Sequence, residues 1–194
     1  MTDKASMRAA ILAARAAMPA ADRMAARRAI RAHVLSYCAR VLPAGAWVAA
    51  YQPLRTEPGS TELLTELAAR GHRVMVPVTL PDRDLDWAWF DPDQDQPIGS
   101  APARRLGSAA VADTALVLAP ACAVDRRGNR LGRGGGSYDR ALGRLPDSVV
   151  VAALLFTSEL VDSVPTDKWD RPVSAVVTPA GWITLTPTGR RNSP

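Results

Sequence analysis

A chain of 194 residues with 47% apolar and 22% charged side chains can bury a core within one domain, which excludes a disordered or fibrous polypeptide. The net charge of +5 favours an anionic partner without separating a nucleotide, a polyglutamylated cofactor and nucleic acid. Its two cysteines, Cys38 and Cys122, form no CxxC and exclude a disulfide framework; each reads as a small buried hydrophobe in a reducing compartment.

The first expected element is an amphipathic helix over residues 3–18, where Met7, Ile11, Ala14 and Met18 follow helical spacing and Lys4, Arg8 and Arg15 fall on a neighbouring stripe. One face should pack and the other stay cationic. The same charges break up any signal-peptide core, and the longest apolar run, residues 149–156, is too short to span a bilayer, so a cytoplasmic protein is expected. Pro19 ends the first helix, and residues 21–42 read as a second, longer one that stops at Pro43.

Strands and helices then alternate. Residues 46–51 predict a buried strand, Ser60 caps a helix running to Arg70, Gly71 closes it, and residues 73–78 form the next strand. A short strand over 86–90 places Trp87 and Trp89 on one side, and a proline-rich connection follows from 91 to about 102. A strand over 115–119 leads toward a glycine-rich loop, followed by a helix over 138–145 and a β-branched strand over 149–155. Residues 175–178 and 182–186 close the domain as a hairpin around 179–181, and 187–194 reads as a loose tail. The pattern predicts one α/β domain over 1–186, three-layered, with a mostly parallel central sheet flanked by helices and an N-terminal helical pair.

Function concentrates in residues 128–140, GNRLGRGGGSYDR. Glycines let backbone N–H groups approach phosphate oxygens, and Arg130 and Arg133 add charge-assisted contacts. Arginines between Arg126 and Arg144 are interleaved with glycine rather than aromatics, which suits a compact phosphate better than a polymer backbone. The loop is not a Walker motif, because it holds no lysine, nor a dinucleotide fingerprint, because Ser137 takes the third glycine's place. A nucleophile elbow fails at Asp139, so Ser137 reads as a helix N-cap.

Asp139, in the first turn of the next helix, is favoured there by the helix dipole and equally suits a Mg²⁺ ligand beside a phosphate cradle; Asp170 is a more distant candidate for the same ion. His33 and His72 stand apart, which leaves no zinc cluster or hydrolytic triad. Glu57 falls in the loop after the first strand, where α/β folds gather ligands, though such a glutamate, like Lys4 and Arg8 one helical turn apart, is by itself an ordinary solvated charge.

Taken in order, these segments resemble the 5-formyltetrahydrofolate cyclo-ligase family, also called methenyltetrahydrofolate synthetase. The likeness rests on K-x-x-x-R at Lys4 and Arg8, Y-x-P-x-x-x-E at Tyr51 to Glu57, VPV at Val76 to Val78, the glycine-arginine run up to Asp139, and V-P-x-x-x-x-D at Val164 to Asp170. The resemblance implies an ATP-dependent cyclisation of 5-formyltetrahydrofolate to 5,10-methenyltetrahydrofolate through a phosphorylated formyl intermediate, with ADP and phosphate released. It further implies that Lys4, Arg8, Arg130, Leu131, Gly132, Arg133, Gly134, Gly135, Gly136, Ser137 and Tyr138 bind ATP. Gln52, Glu57 and Arg133 to Ser137 would touch the folate, Arg133 and Glu57 would act in catalysis, and Asp139 would help to hold Mg²⁺, with Asp170 the candidate second ligand. Three positions depart from the family pattern: Ser137 replaces a tyrosine, Pro58-Gly59-Ser60 follows Glu57, and Trp169, beside Asp170, either stacks on an aromatic ligand or covers the core. The partners implied are small molecules, not nucleic acid or membrane, acting on a monomer. The rival readings are a non-catalytic member that binds nucleotide or folate and a basic nucleic-acid module.

Overall fold

Alternating apolar side chains divide each central strand between two cores, and that division builds the layers. The computed structural model describes residues 3–93 and 104–186. Its main strands are β1 (Trp47–Ala49), β2 (Arg73–Thr79), β3 (Leu85–Trp89), β4 (Leu116–Pro120), β7 (Val150–Leu154), β9 (Ala175–Thr178) and β10 (Gly181–Thr184), with β5 (Ala123–Asp125), β6 (Arg130–Leu131) and β8 (Leu160–Val161) set apart. On one face, Val48, Val74, Val76, Leu116, Leu118, Leu154 and Val177 pack with Ile30, Val34, Leu35 and Cys38 of helix α2 (Ala20–Val41) and Leu63, Leu64 and Leu67 of α3 (Thr61–Ala69). Their neighbours Ala49, Met75, Val117, Ala119, Val151, Ala153 and Val176 pack on the other face with Ala141 and Leu142 of α4 (Ser137–Leu142) and Val111 of a 3₁₀ turn.

The large sheet runs β10-β9-β7-β4-β1-β2-β3. Strands β2, β1, β4, β7 and β9 are mutually parallel, and β3 and β10 pair antiparallel at the two edges, as the alternation of strands and helices predicts. The chain order reverses between β1 and β4. The loops leaving their carboxyl ends diverge there and open a crevice, the usual ligand position in a doubly wound sheet. Ser60 accepts the Leu63 N–H at 3.3 Å to start α3, and Gly71, at φ +84°, ends it. Across the sheet, the Tyr37 ring stacks on Trp182 at 3.7 Å and pins the closing hairpin to α2.

Two features go beyond the expected organisation. A second sheet, β6-β5-β8, adjoins the first; its strands are two or three residues long, too short for a hydrophobic period to mark them. The two N-terminal helices cover different sheets. While α2 covers the large sheet, α1 (Lys4–Ala17), capped by Asp3, rests its Met7, Ile11 and Leu12 on Cys122, Ala123, Leu131 and Val164 around the small one. The expected proline-rich connection lies largely, and the loose tail of 187–194 wholly, outside the described residues. Among those described, no helix is long and apolar enough to cross a membrane.

Candidate active site

A cavity of about 530 Å³ opens at the chain reversal, walled by Pro77 and Thr79 of β2, Pro120 of β4, the glycine loop, Lys4 and Arg8 of α1, and Asp139, Asp167 and Asp170. The loop starts from a turn that Asp125 organises. Its buried carboxylate accepts the N–H groups of Arg127, Asn129 and Val164 at 2.9, 3.0 and 3.1 Å and the Asn129 side-chain amide at 2.8 Å. Gly128 turns at φ +83°, and its carbonyl accepts the Val173 N–H at 2.9 Å. A Cβ there would stand 2.3 Å from the Val173 oxygen, so only glycine fits.

Arg130 is buried rather than presented to solvent. Its guanidinium donates to the Pro120 carbonyl at 3.1 Å and to Asp139 Oδ1 at 2.8 Å, and a Cβ on Gly132 would meet it at 2.9 Å. It therefore braces β4 against α4 while still lining the cavity. Two buried polar atoms, its own Nε and the Tyr138 Oη, have no hydrogen-bond partner among the described residues. Gly136, left-handed at φ +71°, precedes α4, and Ser137 is the helix's first residue. Ser137 is thus not the N-cap: the chain must turn through positive φ at that point, and glycine takes the position.

The expected solvated cationic face of α1 is its docking face. At about 100° per residue, positions 4, 8 and 15 lie within about 40° of one another. Lys4 pairs with Asp167 at 2.7 Å and with Asp170; Arg8 Nε donates to the Gly132 carbonyl at 2.9 Å. Partial burial works against the Lys4 ammonium, but the two aspartates outweigh it and hold its pKa above the ordinary lysine value. Arg15 is 2% exposed and donates to both Glu159 oxygens, at 2.6 and 2.8 Å, and to the Ala121 carbonyl at 2.7 Å.

Glu57 meets the site through Arg133. Its Oε1 accepts Arg133 at 3.0 Å and its Oε2 the Leu54 N–H at 2.9 Å, while Arg27 of α2 donates to the Glu57 backbone carbonyl at 2.8 and 2.9 Å. Arg27 also reaches the carbonyls of Leu54 and Arg55, an anchor no local sequence signal announces. Gly59 packs under Tyr51, whose hydroxyl would lie 3.0 Å from a Cβ there, which accounts for a glycine after Glu57. Gln52 is half-buried but does not line the cavity. Trp169 does not cover the core: it is 73% exposed, with the Lys168 ammonium 4.6 Å from its ring centre.

Asp139 and Asp170 line the same cavity from opposite segments. The Oδ1 of Asp139 takes Arg130 and the Arg171 N–H, and the Oδ2 of Asp170 takes Lys4 and the Asp167 N–H. Each carboxylate has a second oxygen that makes none of these bonds. No group of three or more His, Cys, Asp or Glu placed to hold a metal ion among themselves occurs among the described residues. Two hard oxygen donors suit Mg²⁺, whose shell is otherwise filled by phosphate and water, better than a zinc-type centre. Burial pushes the Cys38 thiol up to about 11 and raises that of Cys122, so both are unreactive thiols.

The sequence profile of the 5-formyltetrahydrofolate cyclo-ligase family matches residues 1–179. The 5-formyltetrahydrofolate cyclo-ligase of Mycolicibacterium smegmatis is 34% identical over 190 residues, covering 91% of this chain and 93% of that protein. The fold is shared with two solved structures named 5,10-methenyltetrahydrofolate synthetase. That from Mycoplasma pneumoniae has a TM-score of 0.74 at 19% identity, over 92% of this chain and 99% of that one. That from Aquifex aeolicus has a TM-score of 0.72 at 24% identity, over 98% and 96%.

Proposed function

This chain belongs to the 5-formyltetrahydrofolate cyclo-ligase family and is an enzyme of that class; within it, we propose that the cavity binds ATP and 5-formyltetrahydrofolate together and forms 5,10-methenyltetrahydrofolate, ADP and phosphate. One observation supports this reading above the others: cations from α1 and from the glycine loop, Arg133 among them in its bond to Glu57, converge on one crevice.

The triphosphate lies along the loop from Arg130 to Tyr138, with Lys4 and Arg8 neutralising its charge and the glycines admitting its oxygens to backbone N–H groups. The folate lies on the Glu57 side, against the loop from Arg133 to Ser137. Asp139 and Asp170 would hold Mg²⁺, which when bound offsets phosphate charge as the phosphoryl group moves.

The formyl oxygen on N5 attacks the γ-phosphorus and the bond to the ADP oxygen breaks, leaving a phosphorylated iminium. N10 then attacks the formyl carbon, the carbon–oxygen bond breaks to release phosphate, and N10 loses its proton. Such transfer needs positioning and charge stabilisation more than a protein nucleophile, and no exposed thiol or serine–base pair stands in the cavity. Arg133 takes the migrating phosphoryl group. A monomer working in the cytoplasm on small molecules, without nucleic acid, is consistent with this reading.

Incubation with Mg-ATP and 5-formyltetrahydrofolate, followed by the methenyl absorbance, tests it. Methenyl product with stoichiometric ADP is expected. Nucleotide and folate binding without product would overturn the assignment of turnover in favour of a non-catalytic family member.

A further inference from the structure

Arg133 and Glu57 are bonded at 3.0 Å, yet they are held very differently. The Glu57 side chain is 6% exposed and the Arg133 side chain 47%. Glu57 is fixed by the Leu54 N–H on its second oxygen and by Arg27 on its carbonyl. Among the described residues, the Arg133 guanidinium has no hydrogen bond other than the one to Glu57. If the pair opens, the arginine is the part that moves. It stands in the glycine loop, beside Arg8 and Lys4 on the cavity wall, where an entering triphosphate would draw it away.

Opening the pair leaves a buried carboxylate without its cation, and such a group must find another donor. A guanidinium presents planar, adjacent N–H groups. So does the edge of a pterin formed by its ring N–H and 2-amino group, and the Glu57 oxygen that accepts one Arg133 N–H can accept from that edge instead. We infer that Arg133 occupies in the empty enzyme the carboxylate that folate takes in the ternary complex, so that nucleotide and folate bind with positive coupling. This rests on the substrate assignment above. Folate alone must displace Arg133, and nucleotide alone must leave Glu57 unpaired; together, each removes the penalty of the other. Linkage makes the two enhancements equal.

The test is calorimetric titration of the full chain with a non-hydrolysable ATP analogue in the presence of Mg²⁺ and with 5-formyltetrahydrofolate, separately and together. Wild type is expected to bind folate about tenfold more tightly with saturating nucleotide, and nucleotide more tightly by the same factor with folate. Arg133→Met removes the competitor: folate then binds without nucleotide at least as well as it binds wild type with it, and the factor falls toward one. Glu57→Gln loses folate affinity but gains nucleotide affinity several-fold, because Arg133 is no longer held; a Glu57 that merely supported the turn would weaken both ligands. Should Glu57→Gln fail to fold, Arg133→Met, at a half-exposed loop position, decides alone. Equal coupling in Arg133→Met and wild type, or none in wild type, overturns the inference while leaving the proposed reaction intact. Failure of wild type to bind either ligand overturns both.

Discussion

Arg15 and Glu159 form a two-pronged ion pair inside the protein, 2.6 and 2.8 Å apart at 2% and 5% side-chain exposure. The Ala121 carbonyl also accepts Arg15, and the preceding carbonyl, of Pro120, accepts Arg130. Consecutive carbonyls at the end of β4 thus hold two buried arginines, one fixing the helix that carries Lys4 and Arg8, the other fixing the glycine loop. This is how cations from the two ends of the sequence reach one cavity.

Arg15→Met should therefore destabilise strongly, because it leaves Glu159 charged and unpaired; removing one partner of a buried pair costs about 3–5 kcal/mol. Adding Glu159→Leu should restore most of that loss, since an apolar pair removes the orphan. Urea denaturation of wild type, single and double variants checks both statements.

Gly128→Ala forces a Cβ to within 2.3 Å of the Val173 oxygen at a φ of +83°. The loop must break its backbone pairing with Val173, and a loss of at least about 3 kcal/mol is expected. Gly136→Ala, also at positive φ but with nothing within 4 Å of the added carbon, should cost only about 1 kcal/mol. Similar costs in denaturation would remove the steric argument.

The parallel sheet was legible because its central strands are continuous apolar runs between capped helices, and the glycine loop because its composition is unlike that of any regular element. What stayed hidden was non-local. Helical spacing put Lys4, Arg8 and Arg15 on one stripe, but nothing near residue 15 announces Glu159, 144 positions away. Arg27 meets the 54–57 turn only after the chain has crossed the sheet, and Asp125 acts through four donors of which one, Val164, is distant. The small sheet escaped notice because strands of two or three residues carry no period.

Asp84 supplies a pH dependence with a definite sign. The Arg144 guanidinium, bonded to both its oxygens, holds its carboxyl below the ordinary value of 3.8, tying the β2–β3 turn to the end of α4. A carboxyl with a depressed folded pKa contributes stability above its unfolded pKa and loses it as pH falls through the folded one. Arg144→Ala should thus cost up to about 1 kcal/mol near neutrality, the scale of a partly exposed pair. The difference from wild type should fade as pH drops below 3.8. Denaturation curves at several pH values measure it.

Arg27→Ala removes the donors to the Leu54, Arg55 and Glu57 carbonyls. The turn that aims Glu57 then loosens, while the glycine loop keeps its own anchors. A roughly tenfold rise in KM for 5-formyltetrahydrofolate, with KM for ATP unchanged, is expected from losing charge-assisted bonds of this kind. Equal rises in both constants would show that Arg27 supports the fold at large.

Arg130 and Arg133, three residues apart, should respond oppositely to truncation. Arg130 is 5% exposed and bonds the Pro120 carbonyl and Asp139, so Arg130→Ala leaves a void and two unmatched acceptors beneath the loop. Its first effect is on stability, with activity lost as the loop collapses. Arg133 is half-exposed and bonds only Glu57 among the described residues, so Arg133→Ala should cost far less stability than Arg130→Ala, about the 1.4 kcal/mol that a tenfold penalty for an unpaired Glu57 implies. If it faces the migrating phosphoryl group, kcat should nevertheless drop at least about 100-fold, the ~3 kcal/mol lost with one strong donor to developing charge. Melting curves and steady-state kinetics on the two variants separate the roles. An Arg133→Ala protein that folds and turns over normally would place the transferred phosphate under another residue, for which Arg8, on the cavity wall and bonded to the loop's own Gly132 carbonyl, is a candidate.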